Sequence, residues 1–207
     1  MVESRVQKKP KERIKQAALD LFYYQGFHST TVRQIAQRAG VNPAMISYYF
    51  KGKRGLLEQL MVQFYEEYFN VIEQHQADDM DQGQLTPYQR LLSTLSASFN
   101  YLFEHYQMTR FIYRELTIDS TLIREIMTVY LGKEKYYYIT LLEELKQAGT
   151  LRSNDVEMIT LQLLNTLYMP FLQPQMIRKV YYIEPHSDEF KQRYLEQLNF
   201  FVENCCR

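Results

Sequence analysis

The stretch Thr31-Val-Arg-Gln-Ile-Ala-Gln-Arg-Ala-Gly40-Val-Asn-Pro-Ala-Met-Ile-Ser-Tyr-Tyr-Phe50 decides the fold. It places two short helical patterns on either side of a single glycine. The hydroxyls of Ser29, Thr30 and Thr31 can cap a helix that carries Val32, Ile35 and Ala36 as its apolar side. Gly40 makes the turn. Asn42-Pro43 restarts the chain, since asparagine caps orphan N–H groups and proline at a first helical position forfeits no intrahelical bond. Small Ala36 lets the two helices approach, Val41 plugs the space between them, and Ile46 and Phe50 anchor the second helix from inside. These are the parts of a helix-turn-helix between about Thr30 and Lys53. The outward positions of its second helix are then Asn42, Ala44, Met45, Ser47, Tyr48 and Tyr49.

Helical spacing continues on both sides. Upstream, Ile14, Ala17, Ala18, Leu21 and Phe22 form one face of a helix that Gly26 ends. Downstream of Lys51 and Gly52, Leu56, Leu57, Leu60, Phe64, Tyr68, Val71 and Ile72 mark a long helix that bridges to a second domain. The segment Ala77 to Thr86, rich in aspartate and without periodicity, predicts an exposed loop. Further helices are expected at about 87–106, 108–117, 120–148, 154–173 and 187–205, with a less regular stretch between Pro174 and Pro185. The fold class is all-α, with a helix-turn-helix domain over 1–54 and a larger helical domain over 55–207.

Composition agrees with long helices: the 207 residues include only 7 glycines and 6 prolines, with 46% hydrophobic and 23% charged side chains. The two cysteines, Cys205 and Cys206, are adjacent and cannot join distant parts of the chain. With no signal peptide pattern, that predicts a cytoplasmic protein. Charges or amides interrupt every apolar run before the roughly 18 residues of a membrane span, so no membrane partner is expected. The zero net charge conceals an asymmetry: residues 1–60 carry 11 Lys/Arg against 4 Asp/Glu, and residues 61–207 carry 13 against 20. The positive end is where an anionic partner should dock. His28, His75, His105 and His186 are scattered, no glycine-rich phosphate loop occurs, and no Cys/His spacing suits zinc. Neither an enzyme nor a metal or cofactor site is expected.

Over Lys11 to Met61 the sequence closely resembles the TetR family of bacterial regulators. The shared pieces are Phe22 to Phe27, Thr30 to Val41, Ser47 to Phe50 and Lys53 to Leu56. The resemblance implies a homodimer on near-palindromic double-stranded DNA, associated with the nucleoid. It assigns Thr31 and Arg33 to phosphates at the start of the second helix, and Tyr48, Tyr49 and Lys53 to phosphates or sugars flanking the groove. Asn42, Ala44, Met45 and Ser47 fall nearest the base edges. Phenols and ammonium groups bond phosphate oxygens, and small side chains let a helix approach bases. Ala44 stands where the family usually has glycine and Ser47 where an aromatic is common, so the base preference does not transfer. Arg5, Lys8, Lys9 and Lys11 form either an arm that runs along the DNA backbone or into the minor groove, or an inert solvated run.

In the family the last two long helices form the dimer interface. The residues here are Val156, Ile159, Leu163 and Leu167 on one helix and Phe190, Tyr194, Leu198 and Phe201 on the other, with Leu161 widening the first apolar face. Two readings stand for the aromatics of the larger domain, among them Tyr101, Phe103, Tyr113, Tyr137 and Tyr168: a packed core, or a pocket for a small-molecule effector. Two also stand for Arg110, Arg114, Glu115, Arg124 and Glu125: a solvated face, or a surface for docking another protein. The whole-chain character, including the Ser-Tyr-Tyr-Phe ending at Phe50, is similar to RefZ-type members of the family. That resemblance implies a DNA-bound partner of the division protein FtsZ in spore-forming bacteria, with roles in cell division and sporulation.

Overall fold

A computed structural model describes residues 9–81, 85–118, 120–152 and 155–206. Among the described residues every regular element is helical. The chain divides into two compact units, Met1–Phe64 and Tyr65–Arg207, with the division inside one helix.

In the smaller unit, α1 (Pro10–Gln25) starts on Pro10 and buries Ile14, Ala17, Ala18 and Phe22. Gly26 closes it, its N–H donating to the Phe22 carbonyl. Helix α2 (Val32–Ala39) opens on a capping box: the Gln34 N–H donates to Thr31 Oγ1 at 3.2 Å, and the Thr31 N–H donates to Gln34 Oε1 at 2.8 Å. Thr30 is buried instead, its hydroxyl donating to the Gly26 carbonyl at 2.8 Å. Gly40 takes the left-handed conformation at φ 63° that the turn demands. Helix α3 (Ala44–Phe50) follows, and Asn42 Oδ1 caps it by accepting the Ala44 N–H at 2.8 Å.

Helix α4 (Lys53–Asp81) crosses from one unit into the other. The loop expected at 77–86 is therefore shorter than the sequence suggests, because helix persists through Asp81. Ala77 and Met80 favour helix and carry no breaker, so aperiodic polarity alone does not end it.

The larger unit adds α5 (Pro87–Glu104), α6 (Tyr106–Glu115), α7 (Thr121–Ile126), α8 (Gly132–Gln147), α9 (Val156–Leu172), α10 (Pro174–Val180) and α11 (Asp188–Cys206). Helix α5 opens on a second capping box, Thr86 with Gln89. It packs on α8 and α11, while α9 packs on α6 and α8. Phe99, Phe111, Leu142, Leu163, Leu167 and Phe171 are at the centre, each at most 2% exposed. Two buried hydroxyls there are paired: Tyr138 donates to Ser98 Oγ at 2.9 Å, and the Thr109 hydroxyl donates to the Leu102 carbonyl at 2.9 Å.

Two expectations for this unit change. The helix expected over 120–148 is interrupted by a π-helical turn, Met127–Leu131, with no buried residue. The stretch after Pro174 begins with a helix, since proline at the first turn is compatible with one and Ile177 supplies a buried anchor.

Candidate nucleic-acid interface

Helix α3 is held from beneath by Ile46 and Phe50, at 0% and 1% exposure, and presents the rest of its surface outward. Asn42, Ala44, Ser47 and Tyr48 are exposed, whereas Met45 and Tyr49 are half-buried. Tyr48, at 82% exposure, stands furthest out; its ring meets the edge of Tyr49 with centroids 5.0 Å apart. Tyr49 in turn meets Phe50 at 6.3 Å, so one tyrosine of the pair braces against the core and the other projects.

Thr31 and Arg33 both lie at the exposed N-terminus of α2. The Thr31 hydroxyl is engaged with Gln34. Arg33 makes no ion pair among the described residues, and neither do exposed Lys51 and Arg54 at the α3–α4 junction. Arg38, by contrast, is bound to Asp20 Oδ2 at 2.8 Å, tying α2 to α1. Lys51 and Arg54 were not singled out in the sequence, although their position beside the recognition segment is a readable signal. The same holds for the Thr31-x-x-Gln34 spacing. Of the basic arm, Lys9 and Lys11 are exposed, while Arg5 and Lys8 lie outside the described residues.

Lys53 is where the structure departs from the phosphate-contact expectation. Its ammonium donates to the carbonyls of Phe27 at 2.8 Å and Thr30 at 2.7 Å, and lies 4.3 Å from the centroid of the Phe27 ring. Burial lowers its pKa from the usual lysine value. The α1–α2 turn leaves carbonyls without helical partners, and Lys53 satisfies two of them from the first residue of α4. The junction before it is tight: Lys51 and Gly52 have φ of 58° and 106°. A Cβ on Gly55 would fall 2.0 Å from the Phe50 carbonyl oxygen.

In the larger unit the residues named for a dimer interface lie mainly in the unit's own core. Val156, Ile159, Leu163, Leu167, Phe190 and Leu198 are each at most 8% exposed, and Tyr194 and Phe201 are half-buried. They occupy the face of α9 and α11 that packs inward. The opposite face of α9 exposes Met158 at 49%, Leu161 at 55% and Leu172 at 43%, and α11 exposes Phe200 at 60%. A period of 3.6 residues brings Met158, Leu161, Asn165 and Leu172 onto one stripe.

The charged set divides. Arg114, Arg124 and Glu125 are exposed, Arg110 is half-buried and Glu115 is buried, so the five do not form one surface. The aromatics named for a pocket also divide. Tyr113 and Tyr168 meet with ring centroids 4.4 Å apart, and Tyr101 lies 5.6 Å from Tyr68 in the same region. Phe103 instead packs on Phe99 and His186. Tyr137 is half-buried and donates to Glu73 at 3.0 Å. The Tyr113 and Tyr168 hydroxyls have pKa values raised well above the phenol norm, first by burial and next by the negative charge of Glu134.

Residues 14–60 match the family model described as bacterial regulatory proteins, tetR family. Over 197 residues the chain is 42% identical to the probable HTH-type transcriptional regulator YttP of Bacillus subtilis (strain 168), covering 95% of this chain and 94% of that protein. A 45-residue stretch is 53% identical to the HTH-type transcriptional regulator BetI of Klebsiella pneumoniae, covering 22% of this chain and 23% of that one. Among solved structures, a tetR-family regulatory protein from Rhodococcus RHA1 superposes with a TM-score of 0.74 at 20% identity, covering 94% of this chain and 97% of its own. The TetR-family regulator PfmR from Thermus thermophilus gives 0.74 at 18%, covering 94% and 99%. At those identities the structures share the fold with this chain.

Proposed function

The chain belongs to the TetR family of bacterial regulatory proteins, and from that premise we propose that it binds near-palindromic duplex DNA as a homodimer through α3. It is a TetR-type transcriptional regulator. The observation that carries the DNA-binding mode is the exposed side of α3: projecting Tyr48 beside small Ala44 and Ser47, with the exposed cations Arg33, Lys51 and Arg54 in the same unit. Small side chains permit close approach to bases, while the phenol and cations suit phosphates. The exposed apolar stripe of α9, with Phe200 of α11, supports pairing with a second copy. Two recognition helices related by a two-fold axis would meet successive major grooves roughly 34 Å apart. A cytoplasmic, nucleoid-associated location accords with DNA as the partner. Among the described residues no helix is long and apolar enough to cross a membrane.

The second reading is a RefZ-type role, in which the DNA-bound dimer acts on FtsZ. Exposed Arg114, Arg124 and Glu125 are the observation that favours it, because these charges lie outside the DNA-binding unit. Genome-wide mapping of bound sites separates the two. Sites at promoters with changed transcription support a repressor. Several sites grouped in one chromosomal region, bound without changes in transcription, support the division role. Absence of specific sites would overturn both.

A further inference from the structure

The larger unit buries a carboxyl for which DNA binding has no use. Glu134, on the first turn of α8, is 1% exposed. Its Oε1 accepts the Tyr68 hydroxyl at 2.5 Å. Phenols surround it from four elements: Tyr65 and Tyr68 of α4, Tyr113 of α6, Tyr138 of α8 and Tyr168 of α9, all buried and all raised in pKa by burial and by the Glu134 charge. The Tyr138 hydroxyl is turned to Ser98. The enclosed Tyr168 hydroxyl lies near enough to bias the carboxyl yet outside hydrogen-bond geometry. Among the described residues no Lys, Arg or His pairs with Glu134. A carboxylate offers about four acceptor positions, so its capacity here is largely unspent.

Two physical facts point to what would complete this arrangement. A buried carboxylate without a cation is costly, and the usual relief is to hold a proton. Burial accordingly raises Glu134 to about pKa 7. Aromatic faces are negative, and phenol rings grouped about a carboxylate attract a positive charge that sheds its water easily. A hard divalent metal would need several oxygen anions or carbonyls rather than one. An alkylammonium needs only the faces and the single charge.

We propose that Glu134 and its surrounding tyrosines form a binding site for a small organic cation of the alkylammonium class. This rests on the reading of the larger unit as the regulatory part of a DNA-binding protein. The π-helical turn Met127–Leu131, which has no buried residue, borders the cluster through one ring. From it, Tyr130 stacks on Tyr65 with centroids 5.0 Å apart and planes 12° apart. The two lysines adjacent in sequence are both engaged elsewhere: Lys133 by Glu73 at 2.9 Å and by the face of Phe69 at 4.4 Å, and Lys135 by Glu157 at 2.8 Å. Because the bound cation favours the carboxylate, binding expels the proton that Glu134 otherwise keeps.

The test is calorimetric titration of the full chain with benzyltrimethylammonium, and with N,N-dimethylbenzamide as an uncharged control of similar size. At about pH 7 the cation should bind the wild-type chain at least about tenfold more tightly than the amide. Glu134→Gln, nearly identical in shape, should lose at least about tenfold in cation affinity, and Tyr68→Phe, which keeps the ring, should lose less. Titration in two buffers of different ionisation enthalpy should register proton release in the wild type and none in Glu134→Gln. Equal binding of cation and amide, no binding of either, or unchanged affinity in folded Glu134→Gln would overturn the site. Anisotropy measurements on DNA from mapped sites, in the same solutions, keep the two proposals apart. Intact DNA binding without cation binding removes this site alone; cation binding with no specific DNA binding removes the regulatory role and leaves the site.

Discussion

The ammonium of Lys53 donates to the carbonyl oxygen of Thr30 at 2.7 Å, so the first residue of α4 holds the turn that leads into α2. The cation acts as an internal brace for the helix-turn-helix. A brace and a phosphate contact give different signatures in salt. Lys53→Met should lower DNA affinity by displacing α2 while leaving the slope of log K against log salt unchanged. A lost phosphate contact would instead reduce that slope by about one per subunit. Anisotropy titrations across a salt series decide between them, and a thermal melt should show the variant less stable.

Tyr48 is the complementary case. At 82% exposure it supports no core, so Tyr48→Ala should leave stability within about 0.5 kcal/mol. Its DNA affinity should fall by about tenfold in a mobility-shift assay. An unchanged affinity would remove the tyrosine from the interface.

Gly55 leaves no room for a methyl group, because an added Cβ would lie 2.0 Å from the Phe50 carbonyl oxygen, which is backbone. Gly55→Ala should therefore destabilise the smaller unit by about 1–3 kcal/mol, the range of an overpacked site. Amide exchange should become faster in α3 and at the start of α4, and DNA affinity should fall with it.

Glu134 makes stability depend on pH. The folded carboxyl keeps its proton up to about pH 7, whereas an ordinary glutamate releases it near 4.5. Between those values the native state binds more protons than the unfolded state, so stability falls as pH rises. The favourable contribution is complete below about pH 4.5 and gone above about pH 7. Relative to Glu134→Gln, wild-type unfolding free energy should decline by about 3 kcal/mol across that window, read from urea titrations. A parallel pH dependence in the two proteins would contradict a raised carboxyl pKa.

The two faces of α9 predict different failures. Leu161→Arg on the exposed face should convert dimer to monomer by light scattering with little loss of secondary structure. Leu163→Ala, at 1% exposure, should instead cost about 2–5 kcal/mol of stability and leave the mass of the folded species unchanged.

The helix-turn-helix was readable because its signals are local: Gly40, the Asn42-Pro43 restart and the Ile46/Phe50 spacing each act within a few residues. The capping box of Thr31 and Gln34 is an equally local signal, carried by the Thr31-x-x-Gln34 spacing. The roles of Lys53 and Glu134 were hidden because each depends on groups distant in sequence, 23 residues for the Thr30 carbonyl and 66 for Tyr68. For α9, periodicity identified an apolar helix but could not say which of its sides a single chain already covers. Leu161 was the warning, since it lies off the stripe formed by Leu163 and Leu167. Helix α10 was missed because Pro174 reads both as a breaker and as a starter.

The π-helical turn at Met127–Leu131 carries a consequence for how the larger unit can vary. Such a turn holds one residue more than the α-helical turn it replaces, and each residue advances an α-helix by about 100°. Because the turn absorbs that extra residue, deleting it would restore an unbroken helix with Glu134 still facing its tyrosines, whereas deleting a residue from the regular helix between the turn and Glu134 would rotate the carboxyl by about 100°. The turn is thus a slack link in the chain, tolerant of a change in residue count that the regular helix after it does not accept.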